Sequence, residues 1–163
     1  MSDAGDKIVN LGHQENAPLS PDVDRFYRTL VREAPDAIVY ADAAGLISFW
    51  NKAAERVFGF SEAEALGKSL DLIIPEGLQR RHWDGYDEVV RTSKTGYGAG
   101  DVVTAPAMRK DGAPISVEFT VLPFVDRAGR TLGVAAILRD VTKRFEEVRA
   151  LREELATYRA ASA

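Results

Sequence analysis

The chain has 163 residues, 45% of them hydrophobic and 28% charged, with a formal net charge of −4, which suits one core-bearing domain with appendages and is too short for two. Acidic and basic residues are interspersed, and no basic stripe extends beyond "QRR" and "MRK", so the electrostatic footprint of nucleic-acid binding is missing. Cysteine is absent, which excludes disulfides, thiolate metal sites, thiol nucleophiles and photochemistry through a sulfur adduct. No run of about 18 apolar residues occurs, so neither a membrane span nor a signal peptide is expected and a cytoplasmic location is.

Residues 1–20 are polar, mix Gly, Asn, Ser and Pro without a period, and read as a flexible N-terminal arm; His13 lies in it. A flanking helix is expected over 21–34. Ser20 offers its N-cap and Pro21 its first turn, Val23, Phe26, Tyr27, Leu30 and Val31 recur at helical spacing, and Pro35 follows its end. "AIVYAD" and "LISFW" around Ala43-Ala44-Gly45 read as a hairpin. "NKAAERVFGF" predicts a short helix capped by Asn51 and stopped by Gly59. Ser61 and Glu64 make a capping box for another, closed by Gly67.

"PEGLQRRHWDGYDEVV" is the most informative stretch. Leu78, His82, Tyr86 and Val89 or Val90 recur at steps of three and four, so an imidazole sits in the middle of an apolar stripe. Trp83 falls on the flank of that helix, with aromatic filling or contact to a partner as its expected role, and no chemistry is assigned to it. Gly96, Gly98 and Gly100 then crowd one loop. The remainder predicts three strands joined by tight turns: "VVTAPAMRK", "PISVEFTVLPFV" and "TLGVAAILRD". Along the second, Ile115, Val117, Phe119, Val121 and Pro123 share one face; the opposite face turns apolar only at Leu122 and Phe124, where a helix or a second chain would cover it.

The tail, 143–163, continues from Val141 with Val148, Leu151, Leu155 and Tyr158 at a and d positions of a heptad, Arg144 interrupting the first turn and Phe145 beside the seam. A parallel helix pair between two copies is preferred over folding back. Strands before and after a helical insert make this an α+β domain with one antiparallel sheet and helices on one face. Catalysis is not expected: no metal-ligand pair, no phosphate-binding loop with Lys-Ser/Thr and no relay histidine is present, and "GYGAG" does not open a helix after a strand.

From Phe26 to Thr142 the string resembles a PAS domain, carried by "APDAIVYADAAGLISFWNKAAERVFGFSEAEALGKSLDLIIPE" and "RKDGAPISVEFTVLPFVDRAGRTLGVAAILRDVTKR", with "RDVT" similar to the Asp-x-Thr exit of that family. The resemblance implies a PAS fold over 35–142, a five-stranded antiparallel sheet with helices enclosing a pocket, flanked by an N-terminal helix and a C-terminal amphipathic or coiled-coil helix. It also implies a sensor in signal transduction, as PAS domains bind ligands, haem or flavin there, or nothing at all, and hand their state to an output partner that this sequence does not identify.

"IIPEGLQRRHWDGYDEVVRT" is similar to the cofactor-side helix of haem-PAS oxygen sensors of the FixL type, where the histidine is the axial ligand of iron. On that resemblance His82 binds haem b as metal ligand and a diatomic gas or redox state is sensed. The expected wall is Ile73, Ile74, Leu78, Tyr86, Val89, Val90, Val102, Val103, Phe119, Val121 and Ile137. Gly85 and the "GYGAG" loop would provide room, and a carbonyl or water would fix the second ring nitrogen.

Two departures accompany it. Val102 or Val103 stands near the place of the arginine that turns toward bound oxygen, and Glu88 replaces the propionate-binding arginine, leaving Arg80, Arg81 or Arg91 to neutralise propionates. A distal side without a donor should hold dioxygen poorly and tolerate carbon monoxide or nitric oxide better. The alternatives are a flavin or small-metabolite sensor, with Trp50 expected in the core rather than stacked on a flavin, and a cofactor-free dimerisation module. Homodimerisation through the flanking helices is expected; nucleic-acid and membrane partners are not.

Overall fold

The computed structural model describes residues 20–98 and 100–161; the N-terminal arm expected over 1–20 lies, but for Ser20, outside the described residues. Helix α1 spans Pro21–Arg32, with the Ser20 side chain accepting from the Val23 N–H. The hairpin follows as β1 (Ala37–Asp42) and β2 (Ile47–Trp50). Its turn is closed by Asp42, whose Oδ1 accepts from the N–H groups of Ala44 and Leu46 at 2.9 and 3.0 Å, as Asx turns do.

Helix α2 (Lys52–Phe58) ends at left-handed Gly59, and α3 (Glu62–Ala65) carries the Ser61/Glu64 capping box. A single 3-10 turn, Leu70–Leu72, precedes α4 (Glu76–Thr92). Strands β3 (Val103–Met108), β4 (Pro114–Val125) and β5 (Thr131–Asp140) make the meander, and α5 (Thr142–Ala161) leaves it.

Among the described residues the five strands form one antiparallel sheet in the order β2-β1-β5-β4-β3. The chain thus crosses from β2 at one edge, through three helices, to β3 at the other, and the helical segment spans the inner face. Register sets that face: Val39 stands opposite Ala136, and Val121 opposite the same Ala136, while Phe119 pairs with both Val103 and Leu138. Side chains alternate along a strand, so these residues point toward the helices.

The core runs from Trp50, Phe58 and Ile47 under α2 and α3 to Ile73, Tyr86, Val117, Val134 and Leu138 under α4. Its polar centre is Asn51, 2% exposed. Its Oδ1 accepts from the Ala54 and Ile38 N–H groups at 2.9 and 3.0 Å, and its amide donates to the Val31 and Asp36 carbonyls at 3.2 and 3.0 Å. One buried amide therefore joins α1, β1 and the start of α2 with its bonding capacity used.

The outer face is less protected. Tyr40 packs edge-on against Phe124, and its hydroxyl lies over Gly133, where a Cβ would come within 2.5 Å of it and 2.3 Å of the Ala41 carbonyl. Leu122, Leu132 and Ile137 on that face are exposed, as are Phe26, Tyr27 and Leu30 of α1 and Val148, Leu151 and Leu155 of α5.

The exit into α5 is tightly built. Val141 is buried and its N–H donates to the Ser116 carbonyl. Thr142 Oγ1 accepts from the Ser116 N–H at 2.9 Å while lying 2.6 Å from Asp140 Oδ1, which also accepts the Thr142 N–H. Asp140 thereby caps the first turn, and both ends of the Asp-x-Thr segment are anchored to β4.

Candidate functional site

Helix α4 lies across the inner face because its apolar stripe must be buried against the sheet. Its C-terminal end is pinned by Ser93, which adopts the left-handed cap conformation at φ 57° and sends Oγ to the Gly129 carbonyl and to Thr131 Oγ1, both at 2.9 Å. Its middle is pinned by Tyr86, buried to 7% exposure, whose hydroxyl donates to the Asp42 carbonyl at 2.6 Å with the Ala41 carbonyl 3.1 Å away. Burial pushes the phenol well above its usual range, with Asp42 and Tyr40 adding to the effect, so it acts only as a donor at ordinary pH.

His82 sits one turn before Tyr86 and is half-buried. Its ring makes a T-shaped contact with Trp83 at 5.1 Å and a tilted one with Tyr86 at 5.8 Å. Burial lowers the pKa of the imidazole, only partly opposed by Asp71, which favours the neutral ring. Nδ1 is buried and finds no hydrogen-bond partner among the described residues. The carbonyl expected to fix the second ring nitrogen is not at this atom.

Trp83 points inward. Its Nε1 donates to Asp71 Oδ1 at 2.8 Å, its ring meets Tyr86 edge-on at 5.5 Å, and its six-membered ring covers Gly45 so closely that a Cβ there would fall 2.2 Å from Cη2. Of the two roles expected for Trp83, aromatic filling is the one found and contact to a partner from the flank is corrected: Trp83 and Tyr86 are three apart and share a helix face, a spacing already present in the sequence. Asp71, Gly45 and Asp42 had no comparable signal, since their part in the site arises from contacts between distant segments.

Most of the residues expected to form the wall pack together in the core. Ile73 is buried with Tyr86, and Ile74, Val89, Val90, Phe119 and Val121 pack on the same cluster. Leu78 is half-buried one turn before His82, and Val103 faces inward opposite Phe119. Two residues do not join it. Ile137 is 46% exposed, because the β5 register turns Ala136 and Leu138 inward and so turns Ile137 outward; Val102 precedes β3 and is 61% exposed. Gly85, Gly96, Gly98 and Gly100 face solvent rather than making room inside. Arg91 is held by Glu88 through two contacts at 2.7 Å, and Arg80 and Arg81 are exposed near His82.

The donor chemistry suits a metal-bearing or hydrogen-bonding ligand: a neutral imidazole with a buried, unpartnered nitrogen in an apolar, aromatic setting. The Trp83 indole lies edge-on against that imidazole. No cluster of three or more His, Asp or Glu side chains able to hold a bare metal ion occurs among the described residues, and no helix among them is long and apolar enough to cross a membrane.

This architecture has known counterparts. The PAS fold family model matches residues 25–141, and the chain belongs to the PAS family of sensory domains. It is 34% identical over 96 residues, 58% of its length, to the sensor protein FixL of Bradyrhizobium diazoefficiens, of which the match covers 18%; the chain spans less than a fifth of the curated relatives it matches. The PAS domain of a Colwellia psychrerythraea protein superposes with a TM-score of 0.65 at 24% identity, over 75% of this chain and 99% of that one. An RNA-binding light-oxygen-voltage receptor superposes at 0.64 with 25% identity, over 90% of this chain and 41% of that one.

Proposed function

We propose that this PAS module holds haem b through His82, reads a diatomic gas or a change of redox state there, and passes its state through β5 to α5. The observation that carries the reading is the His82 ring, half-buried between Trp83 and Tyr86, its pKa lowered by burial, with a buried nitrogen that has no partner among the described residues. The likeness to FixL supports the choice of haem. Haem, when bound, supplies an iron that takes up small ligands or changes oxidation state. His82 would hold it, Leu78, Val89, Val90, Phe119 and Val121 would exclude water around it, and Arg80 or Arg81 would face its propionates.

The route outward is short. His82 and Tyr86 lie on one helix face, Tyr86 is bonded to the end of β1, β1 pairs with β5, and β5 runs into the Asp140-Val141-Thr142 exit. A shift of α4 would bias the position of α5 as a shift between two populations. Haemin reconstitution of the purified chain tests the proposal. A Soret band with one haem per chain is expected, reduced at least about tenfold in occupancy by His82→Ala; an equal band in that variant overturns the ligand assignment.

A second reading is favoured by the exposed apolar residues of α1 and α5: a cofactor-free PAS module that joins two copies. A colourless protein, dimeric as the full chain and monomeric when cut after Thr142, supports it. A yellow, fluorescent protein would instead support flavin, for which the light-oxygen-voltage likeness speaks.

A further inference from the structure

We infer that Trp83 is a gate residue: seated on Gly45 and tethered to Asp71, its indole fills the space between α4 and the β1–β2 turn and decides whether a flat ligand reaches the His82 ring. This rests on reading the surroundings of His82 as a ligand site, and it adds a specificity-determining residue to it.

Three observations carry the inference. The indole and the imidazole are in edge contact at 5.1 Å, so a planar group reaching His82 from that side meets the indole. The indole's seat is shaped for it: Gly45, at φ +75°, lacks the Cβ that would strike the ring at 2.2 and 2.3 Å. The seat is also releasable, because the indole's polar tether is the one Nε1 to Asp71 Oδ1 bond, while the C-terminal end of α4 has its own anchor at Ser93 on Gly129 and Thr131. Breaking the Asp71 bond therefore frees the indole without freeing the helix.

The consequence is competition. A ligand binds only the fraction of molecules whose indole has left Gly45, so a latch favoured tenfold lowers apparent affinity about tenfold. The gate faces the β1–β2 turn, so its release also loosens the hairpin that pairs with β5.

The test uses the full chain, with haemin titrations of the wild type, Asp71→Ala and Trp83→Ala, and acrylamide quenching of the emission that wild type has and Trp83→Phe lacks. Both alanine variants are expected to bind haemin about tenfold more tightly than wild type. The Trp83 emission should become more accessible to acrylamide in Asp71→Ala without ligand. Asp71→Ala removes the tether but no core side chain, so it decides the matter should Trp83→Ala fail to fold. Variants that bind haemin no more tightly than wild type overturn the gate, whatever His82 does. A Soret band that survives His82→Ala overturns the haem ligand assignment and leaves the gate standing if Asp71→Ala still tightens binding.

Discussion

At the residue scale the fold depends on polar groups that are buried only because every bond they can make is made. Asn51 serves α1, β1 and α2 with four hydrogen bonds. Asn51→Ala would strand the Ile38 N–H and the Asp36 carbonyl in the interior, so a loss of about 3 kcal/mol is expected in urea unfolding, several times that of an exposed substitution. A loss under about 1 kcal/mol would mean that water takes over those partners. Gly45 answers a second local demand, a positive φ together with the indole above it. Gly45→Ala should cost about 2 kcal/mol, and Trp83→Ala in the same chain should recover part of it; a double-mutant cycle with no coupling would separate the two causes. Asn51 was legible in the sequence as a helix cap, because capping is a local pattern. Its second role at β1 was not, since nothing near residue 51 marks Ile38 as its partner.

Among the elements, the junctions at the two ends of the sheet carry the pH dependence and the exit into α5. β1 begins and β5 ends at one bidentate ion pair, Arg139 to Asp36 at 2.9 and 2.7 Å. The hydrogen bond from Arg139 holds the Asp36 carboxyl below its ordinary value, so the pair stabilises the fold above the usual carboxylate range, and that contribution is lost as pH falls through the lowered pKa. Because the arginine is largely exposed the contribution is small; Arg139→Gln should make the acid limb of stability shallower, and an unchanged limb would remove Asp36 from the account. At the other junction, Thr142→Val deletes the oxygen that accepts the Ser116 N–H and should leave the sheet folded while raising hydrogen exchange over the first turns of α5. Protection equal to wild type would mean that Asp140 suffices as the cap. Element order and type were readable because strands alternate and helices repeat every three to four residues over long stretches. The 3-10 turn at 70–72 was too short to have a period, and the two roles left open for Trp83 were not narrowed to core filling because the His82 stripe was followed while the parallel line through Trp83, Tyr86 and Val90 was not.

For the whole molecule, the inner face is closed and the apolar surface that remains lies outside. Helix α1 has no buried residue among the twelve it contains, and so short a helix is marginal in water without packing. Helix α5 projects Val148, Leu151 and Leu155 along one heptad line, Leu151 at 64% exposure, although its ion pairs, Lys143 to Glu147 and Arg149 to Glu153, are exposed and worth only tenths of a kcal/mol each. The apolar side chains of neither helix are covered within one copy, whereas two copies placed in parallel would bury the a and d positions of both α5 helices. Leu151→Glu with Leu155→Glu puts four like charges into that seam. Sedimentation across a concentration series should then show a dimer for wild type and a monomer for the double variant, with association weakened by at least about a hundredfold, since each buried leucine contributes on the order of 1.5–3 kcal/mol. The inner core should be untouched, so thermal unfolding of the sheet at high protein concentration separates loss of pairing from loss of fold. Identical sedimentation of the two proteins would place the α5 stripe against another partner and leave the PAS module to signal as a single copy.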